Sequence, residues 1–381
     1  MTWVNIAGMG AVCCYGNNNK GLVRALKENR PGIQPLTHLT LPFDNVPPLN
    51  PTDITPYGEG GKAMDAMMLD ACHQALHNAS YDTVPEGTAL IIGTSNFMFF
   101  GEAVNRYDYR RDPNSAMLAP NSSGDVTQHL AKAMGITGPA YTIHTACSSS
   151  ANALIRAREM IMRDEAEHIL VLGAEGFSTI ALSGFHSMML MDPNGCRPFD
   201  VNRNGLQLGE AFAAVLLEKH VSKQAHGFYL NGGANQCDIH HVTSASPDGK
   251  AMHTVTLKAL HDAGVSTQDI TAIKAHGTGS IDNDTAEAAA LNILFNRNLP
   301  PVTVLKRYLG HTLGACGTLE TTALLGCIKE GFLPATLGFQ DIDPGLNVTP
   351  ITENVATGGG NYLLTFFGFG GNYAALVVGC D

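Results

Sequence analysis

A chain of 381 residues, 44% of them hydrophobic, is long enough to bury one large core or two of ordinary size. Its formal net charge of −11, with no long basic run, argues against a nucleic-acid surface, and no apolar stretch approaches the length needed to span a bilayer. Nine cysteines without a Cys-x-x-Cys pair and fifteen histidines without metal-ligand spacing argue against a disulfide framework and a zinc site; with no visible signal peptide, the expected compartment is a reducing cytoplasm.

In chain order, residues 4–9 (Val-Asn-Ile-Ala-Gly-Met) read as a buried strand ending in a glycine turn, and residues 20–29 as a short helix. The prolines at 35, 42, 47, 48, 51 and 56 make residues 33–57 an irregular surface excursion. Residues 62–79 repeat Ala, Met and Leu at helical spacing, and Met64, Met67 and Met68 read as core packing. Residues 88–93 form a continuous apolar strand, 125–134 a helix, 141–143 a strand, 148–163 a helix and 168–173 another apolar strand. A polar turn from 197 leads into a strand from Phe212. Strands are then expected at 228–232, 271–275, 302–305, 362–367 and 373–378, and helices at 249–263, 284–296 and 314–330. Strands apolar on both faces that alternate with helices indicate an α/β fold whose parallel or mixed sheet is covered on both sides. The element order nearly repeats, which suggests two α/β halves, residues 1–221 and 222–381.

The stretch from 141 to 155, Tyr-Thr-Ile-His-Thr-Ala-Cys-Ser-Ser-Ser-Ala-Asn-Ala-Leu-Ile, sets Cys147 between a strand and a helix N-terminus. Unpaired N–H groups and the helix dipole stabilise a thiolate there. From this stretch alone, Cys147 reads equally as a nucleophile and as a small, inert, buried cysteine. Three glycine-rich segments follow apolar strands in the second half: Ala-His-Gly-Thr-Gly-Ser from 275, Lys-Arg-Tyr-Leu-Gly-His-Thr-Leu-Gly-Ala-Cys-Gly from 306 and Phe-Gly-Phe-Gly-Gly from 367. Singly, each histidine reads as structural or superficial. Together with Cys147, His276 and His311 form a Cys-His-His set at strand ends, where open α/β sheets tend to place their sites.

These segments, with Ile6-Ala-Gly-Met-Gly-Ala-Val, Arg197-Pro-Phe-Asp, Gly209-Glu and Asn283-Asp, resemble the β-ketoacyl synthases, condensing enzymes of the thiolase superfamily, over nearly the whole chain. The resemblance implies a five-layered αβαβα sandwich of two duplicated halves, the first carrying the nucleophile and the second both histidines. It implies decarboxylative Claisen condensation of a malonyl thioester with an acyl group on Cys147, in fatty-acid or polyketide synthesis, with the aryl-polyene type II enzymes as the subgroup most alike. By the same resemblance, His276 and His311 bind the malonyl carbonyl oxygen, Lys306 supports His311 electrostatically and by hydrogen bonding, and Glu287 braces the site. Thr278 and Ser280 bind the phosphopantetheine arm. The N–H groups of Cys147 and Phe369 form an oxyanion hole, Gly368 and Gly370 permit the close backbone approach, and Phe369 gates the acyl pocket. No dissociable cofactor is implied. The implied partners are an acyl carrier protein and a second subunit, as homodimer or heterodimer. The alternative is a chain-length-factor-like partner subunit with little activity of its own, and Cys147, His276 and His311 count against it. The family's Thr at the second pantetheine position is Ser280 here, and Thr365-Phe366 and Asn372-Tyr373 also depart from its pattern.

Overall fold

Glycines at positions 8 and 10 look like a turn in the sequence, yet β1 runs unbroken through them from Trp3 to Cys13. The reason is packing. A Cβ at Gly8 would lie 2.0 Å from the carbonyl oxygen of Ala75, so the missing side chain lets a helix, α2 (Gly60–Asn78), settle directly onto the strand. The computed structural model describes residues 2–37, 41–58, 60–95 and 122–380. Within the proline-rich span, the described residues form no strand or helix beyond a 3₁₀ turn at Thr55–Tyr57; residues 38–40 of that span lie outside the described residues.

The remaining sheet strands are β2 (Ala89–Gly93), β3 (Ala140–Ile143), β4 (His168–Glu175), β5 (Ala211–His220), β6 (Phe228–Cys237), β7 (Ile270–Lys274), β8 (Val302–Thr303), β11 (Gly360–Phe367) and β12 (Asn372–Cys380). A separate pair is formed by β9 (Phe332–Leu333) and β10 (Val355–Ala356). The large sheet has the order β3-β2-β4-β5-β1-β6-β12-β11-β7-β8. Read outward from its centre, each side has two antiparallel joints and then two parallel ones: β1, β5, β4, β2, β3 on one side and β6, β12, β11, β7, β8 on the other. The two sides meet where Asn5 of β1 pairs with Tyr229 of β6. The 221/222 boundary expected from the sequence falls in the connection between β5 and β6.

The helices are α1 (Asn19–Lys27), α3 (Ser123–Met134), α4 (Ser149–Met162), α5 (Thr179–Ser187), α6 (Lys250–Ala263), α7 (Ile281–Leu294), α8 (Lys306–Leu309) and α9 (Cys316–Lys329), besides α2. Their layers follow from which face each buries. One core joins Ala151, Leu154 and Met160 of α4 and Leu324, Leu325 and Ile328 of α9 to strands from both sides of the sheet. A second packs α2 and α3 on β2, β4 and β5, and a third packs residues of α6 and α7 on β7, β11 and β12. The result is an αβαβα sandwich with α4 and α9 as the inner layer. Twelve of the fourteen residues of α9 are buried, which explains why its sequence shows no polar face.

Among the elements that differ from the sequence expectation, which include β6 running on to Cys237 and the unexpected α8, β9 and β10, three bear on the site. Helix α7 starts at Ile281 rather than 284, because the Ser280 hydroxyl caps it by accepting the Asn283 N–H at 3.4 Å. Strand β8 stops at Thr303 rather than 305, and the chain turns into α8. Helix α5 was not expected; Ser178 caps it through the Ala181 N–H at 3.0 Å.

Candidate active site

Cys147 lies between β3 and α4, two residues ahead of the first helical residue, and is 5% exposed. The turn is held by its own serines. Ser149 Oγ accepts the Thr145 N–H at 2.9 Å and donates to the Ala146 carbonyl at 2.6 Å, while Ser148 Oγ donates to the Thr145 carbonyl at 2.8 Å. Ala146 is thereby kept at φ +51°, a left-handed conformation that a residue with a Cβ adopts at a cost. Opposite the turn runs the segment after β11. A Cβ at Gly368 would stand 3.0 Å from the Cys147 nitrogen, so only glycine brings this backbone so close. The N–H groups of Cys147 and Phe369 make no hydrogen bond within the described residues, whereas that of Gly370 donates to the Val242 carbonyl at 2.7 Å.

His276 follows β7. Its N–H donates to Glu287 Oε1 at 2.7 Å and to Thr365 Oγ1 at 3.0 Å, and the Gly277 N–H donates to Glu287 Oε2 at 2.7 Å. The Thr365 hydroxyl donates to Glu287 Oε1 at 2.7 Å, so the carboxylate is filled by groups that fix this turn. Both ring nitrogens of His276 are buried and neither makes a hydrogen bond of full geometry among the described residues, although the Phe367 backbone lies near enough to oppose the fall in pKa slightly. Burial pulls the imidazole well below its ordinary pKa, and Lys306, His311 and Lys274 act in the same direction. It is neutral at physiological pH.

His311 is clamped by the chain before β5: its N–H donates to the Gln207 carbonyl at 2.6 Å and its carbonyl accepts the Gly209 N–H at 3.1 Å. The two imidazoles stand edge to face, with centroids 5.2 Å apart and planes at 85°. Nδ1 of His311 lies 3.1 Å from the sulfur of Cys316. Here the structure corrects the sequence reading of Lys306. Its ammonium donates to Cys316 Sγ at 3.3 Å and to Glu320 Oε1, not to His311. The reason is that the Cys316 sulfur stands between the two, while Glu320, one turn along α9, takes the ammonium from another side.

Glu320 is shared. Its second oxygen accepts from Lys274 at 2.5 Å, and Lys274 also donates to the Thr365 carbonyl at 2.8 Å. Burial pushes the Glu320 carboxyl up, but Lys274 and Lys306 outweigh it and hold the group below the usual carboxylate range. Burial lowers Lys274, whereas for Lys306 the neighbouring Cys316 and Glu320 more than offset burial and raise it.

Cys147, His276, His311, Thr278, Ser280 and Phe369 line one cavity of about 270 Å³. The hydroxyls of Thr278 and Ser280 are 2.9 Å apart. The Phe369 ring stacks on Phe185 of α5, with centroids 5.9 Å apart, and Tyr373 packs edge-on against Phe367, which in turn packs against His276. Every site residue expected from the sequence is therefore on this cavity or directly behind it. Sequence reasoning missed Cys316, Lys274, Glu320 and Phe185. A lysine inside an apolar strand (Lys274) and a glutamate inside an apolar helix (Glu320) were the available signals for the buried charges. No group of three metal-ligating side chains occurs among the described residues, and no helix among them is long and apolar enough to cross a membrane.

The N-terminal domain of the β-ketoacyl synthase family matches residues 62–223, and the family's C-terminal domain matches residues 226–340. A chloroplastic 3-oxoacyl-[acyl-carrier-protein] synthase I of Hordeum vulgare is 30% identical over 84% of this chain and 72% of its own. The chain belongs to the β-ketoacyl synthase family. Within it, a 3-oxoacyl-[acyl-carrier-protein] synthase 2 of Mycobacterium leprae is 32% identical over 70% of this chain, and the match spans 64% of that relative's length. Nodulation protein E of Rhizobium meliloti is 26% identical over 95% of this chain and 98% of its own. Among solved structures, a ketosynthase in complex with its chain length factor from Xenorhabdus doucetiae superposes with a TM-score of 0.84 at 26% identity, covering 100% of this chain and 98% of the other.

Proposed function

We propose that this β-ketoacyl synthase family member is a decarboxylative condensing enzyme acting on carrier-protein thioesters in fatty-acid or polyketide synthesis. One observation carries the reading: the sulfur of Cys147 and two imidazoles, one of them neutral with neither nitrogen in a hydrogen bond of full geometry, line a single cavity. The Cys147 thiolate attacks the carbonyl of an acyl thioester, the bond from that carbonyl to the carrier's sulfur breaks, the carrier leaves as a thiolate that regains the proton Cys147 had released to solvent, and the acyl group stays on the Cys147 sulfur. A malonyl thioester then loses carbon dioxide while His276 and His311 donate to the oxygen of the resulting enolate. Its carbon attacks the acyl carbonyl, a carbon–carbon bond forms, and the Cys147–acyl bond breaks to return the thiolate.

The donors are placed for this. A neutral imidazole in a buried pocket, as His276 is, forms a fixed dipole that needs no reorganisation when negative charge appears on oxygen. The free N–H groups of Cys147 and Phe369 suit the tetrahedral intermediate on the acyl carbonyl, and the Thr278 and Ser280 hydroxyls suit the amides of a phosphopantetheine arm. Because that arm delivers both substrates covalently, the reading needs no dissociable cofactor. An acyl carrier protein is the partner, and a second synthase-like subunit, identical or not, is the expected companion. The free state of all nine cysteines fits a reducing cytoplasm.

The test is intact mass of the purified protein after incubation with acyl-carrier thioesters of several lengths, beside Cys147→Ala. An acyl-sized increment on the wild type alone is expected. Wild-type protein that stays unmodified at every length overturns the reading.

A further inference from the structure

Behind His311 lies a side chain that the chemistry above leaves unused. Cys316 opens α9 and is wholly buried. Its sulfur has three polar neighbours: His311 Nδ1 at 3.1 Å, Lys306 Nζ at 3.3 Å and Thr312 Oγ1 at 3.5 Å. An ammonium has only protons to offer, so Lys306 donates to the sulfur, and the Thr312 hydroxyl is directed the same way. The thiol has one proton of its own. Nδ1 of His311 is the neighbour left to accept it. The opposite arrangement, with Nδ1–H pointing at the sulfur, would put two close N–H donors on a weak acceptor and leave the thiol proton only the Thr312 hydroxyl, at 3.5 Å and turned from donor to acceptor.

We propose that Cys316 is a positioning residue that holds His311 in the Nε2–H tautomer and so aims a hydrogen-bond donor into the cavity. The two nitrogens of an imidazole are coupled in this way: whichever accepts, the other carries the proton. The sulfur is itself held in place. Lys306 is anchored by Glu320, one turn along α9 from Cys316, and Glu320 is anchored from its far side by Lys274. The row Lys274, Glu320, Lys306, Cys316, His311 thus runs from the last residue of β7 to the imidazole on the cavity, and Cys316 is its last link. Burial pushes the Cys316 thiol up, which keeps the proton available for donation. The effect on rate rests on the condensation reading; the tautomer is a property of the protein without substrate.

The experiment is nitrogen-15 NMR of histidine-labelled protein, with the His311 signals assigned by their loss in His311→Asn, in wild type, Cys316→Ala and Cys316→Ser. Decarboxylation of a malonyl-carrier thioester and acylation of Cys147 are measured alongside. The wild type should show the Nε2–H tautomer. Cys316→Ala should show a mixture, with decarboxylation slowed by about 10–100-fold, as for other residues that orient a reacting imidazole, and acylation intact. Cys316→Ser, whose hydroxyl can still donate, should restore both tautomer and rate. An Nδ1–H tautomer in the wild type overturns the proposal, as does a Cys316→Ala protein with unchanged tautomer and rate. If the tautomers behave as expected but wild type neither acylates nor decarboxylates, the positioning role stands and the assigned reaction fails.

Discussion

Two carboxylates near the cavity make the molecule sensitive to pH. Burial pushes Glu175 up to about 7 against the pull of the Ser95 and Gly314 donors, and Asp284 up to about 7 against those of Phe199 and Asn283. Each folded-state pKa lies above its unfolded value. The stability carried by the protonated form is therefore full below about pH 4 and is lost as pH rises through about 7, by about 3–4 kcal/mol per group. Thermal unfolding followed from pH 5 to 8 should show a falling midpoint, and Glu175→Gln should flatten that fall; an unchanged slope would remove Glu175 from the account. At the same scale, on the condensation reading, His311→Asn removes one donor to the enolate oxygen. Decarboxylation should fall by about 10²–10³-fold while acylation of Cys147 persists, since only the former places charge beside this ring. Equal loss of both would sink the division of labour. His276 and His311 were readable from sequence because each sits in a short glycine-rich motif, and Cys147 because it stands between a strand and a helix N-terminus. Cys316 was not: it was one of nine scattered cysteines, and only the fold brings its sulfur to an imidazole.

Among the elements, the two inner helices and the β1–α2 contact show where sequence patterns carried information and where they misled. Continuous apolar runs located β2, β4, β11 and β12 to within a few residues, because a strand covered on both faces has no polar side to obscure it. The glycines of β1 misled because a close-packing glycine and a turning glycine are the same letter. Gly8→Val should drive a side chain into the backbone of α2 and lower stability by about 1–3 kcal/mol in chemical denaturation. A variant with wild-type stability would mean that α2 can lift away freely. Helix α5 escaped notice because Ser-Gly-Phe-His-Ser has no clear helical stripe; its place is set by Ser178 and by the packing of Phe185 on Phe369.

At the scale of the whole molecule, the sheet brings together what the chain keeps apart. The near repetition of element order was visible in the sequence, but the mirrored strand order was not, because it depends on pairings such as Trp3 with His220 that no local pattern encodes. Cys147 comes from one side of that sheet and both histidines from the other, with α4 and α9 packed between them. A ribosome making this chain therefore releases the sulfur and its helix well before either imidazole has been synthesised. The nascent half holds a thiol with nothing opposite it to stabilise an enolate. On the condensation reading, the first half can therefore carry the nucleophile, but the donors for the enolate are complete only once the second half has been made and has packed against it.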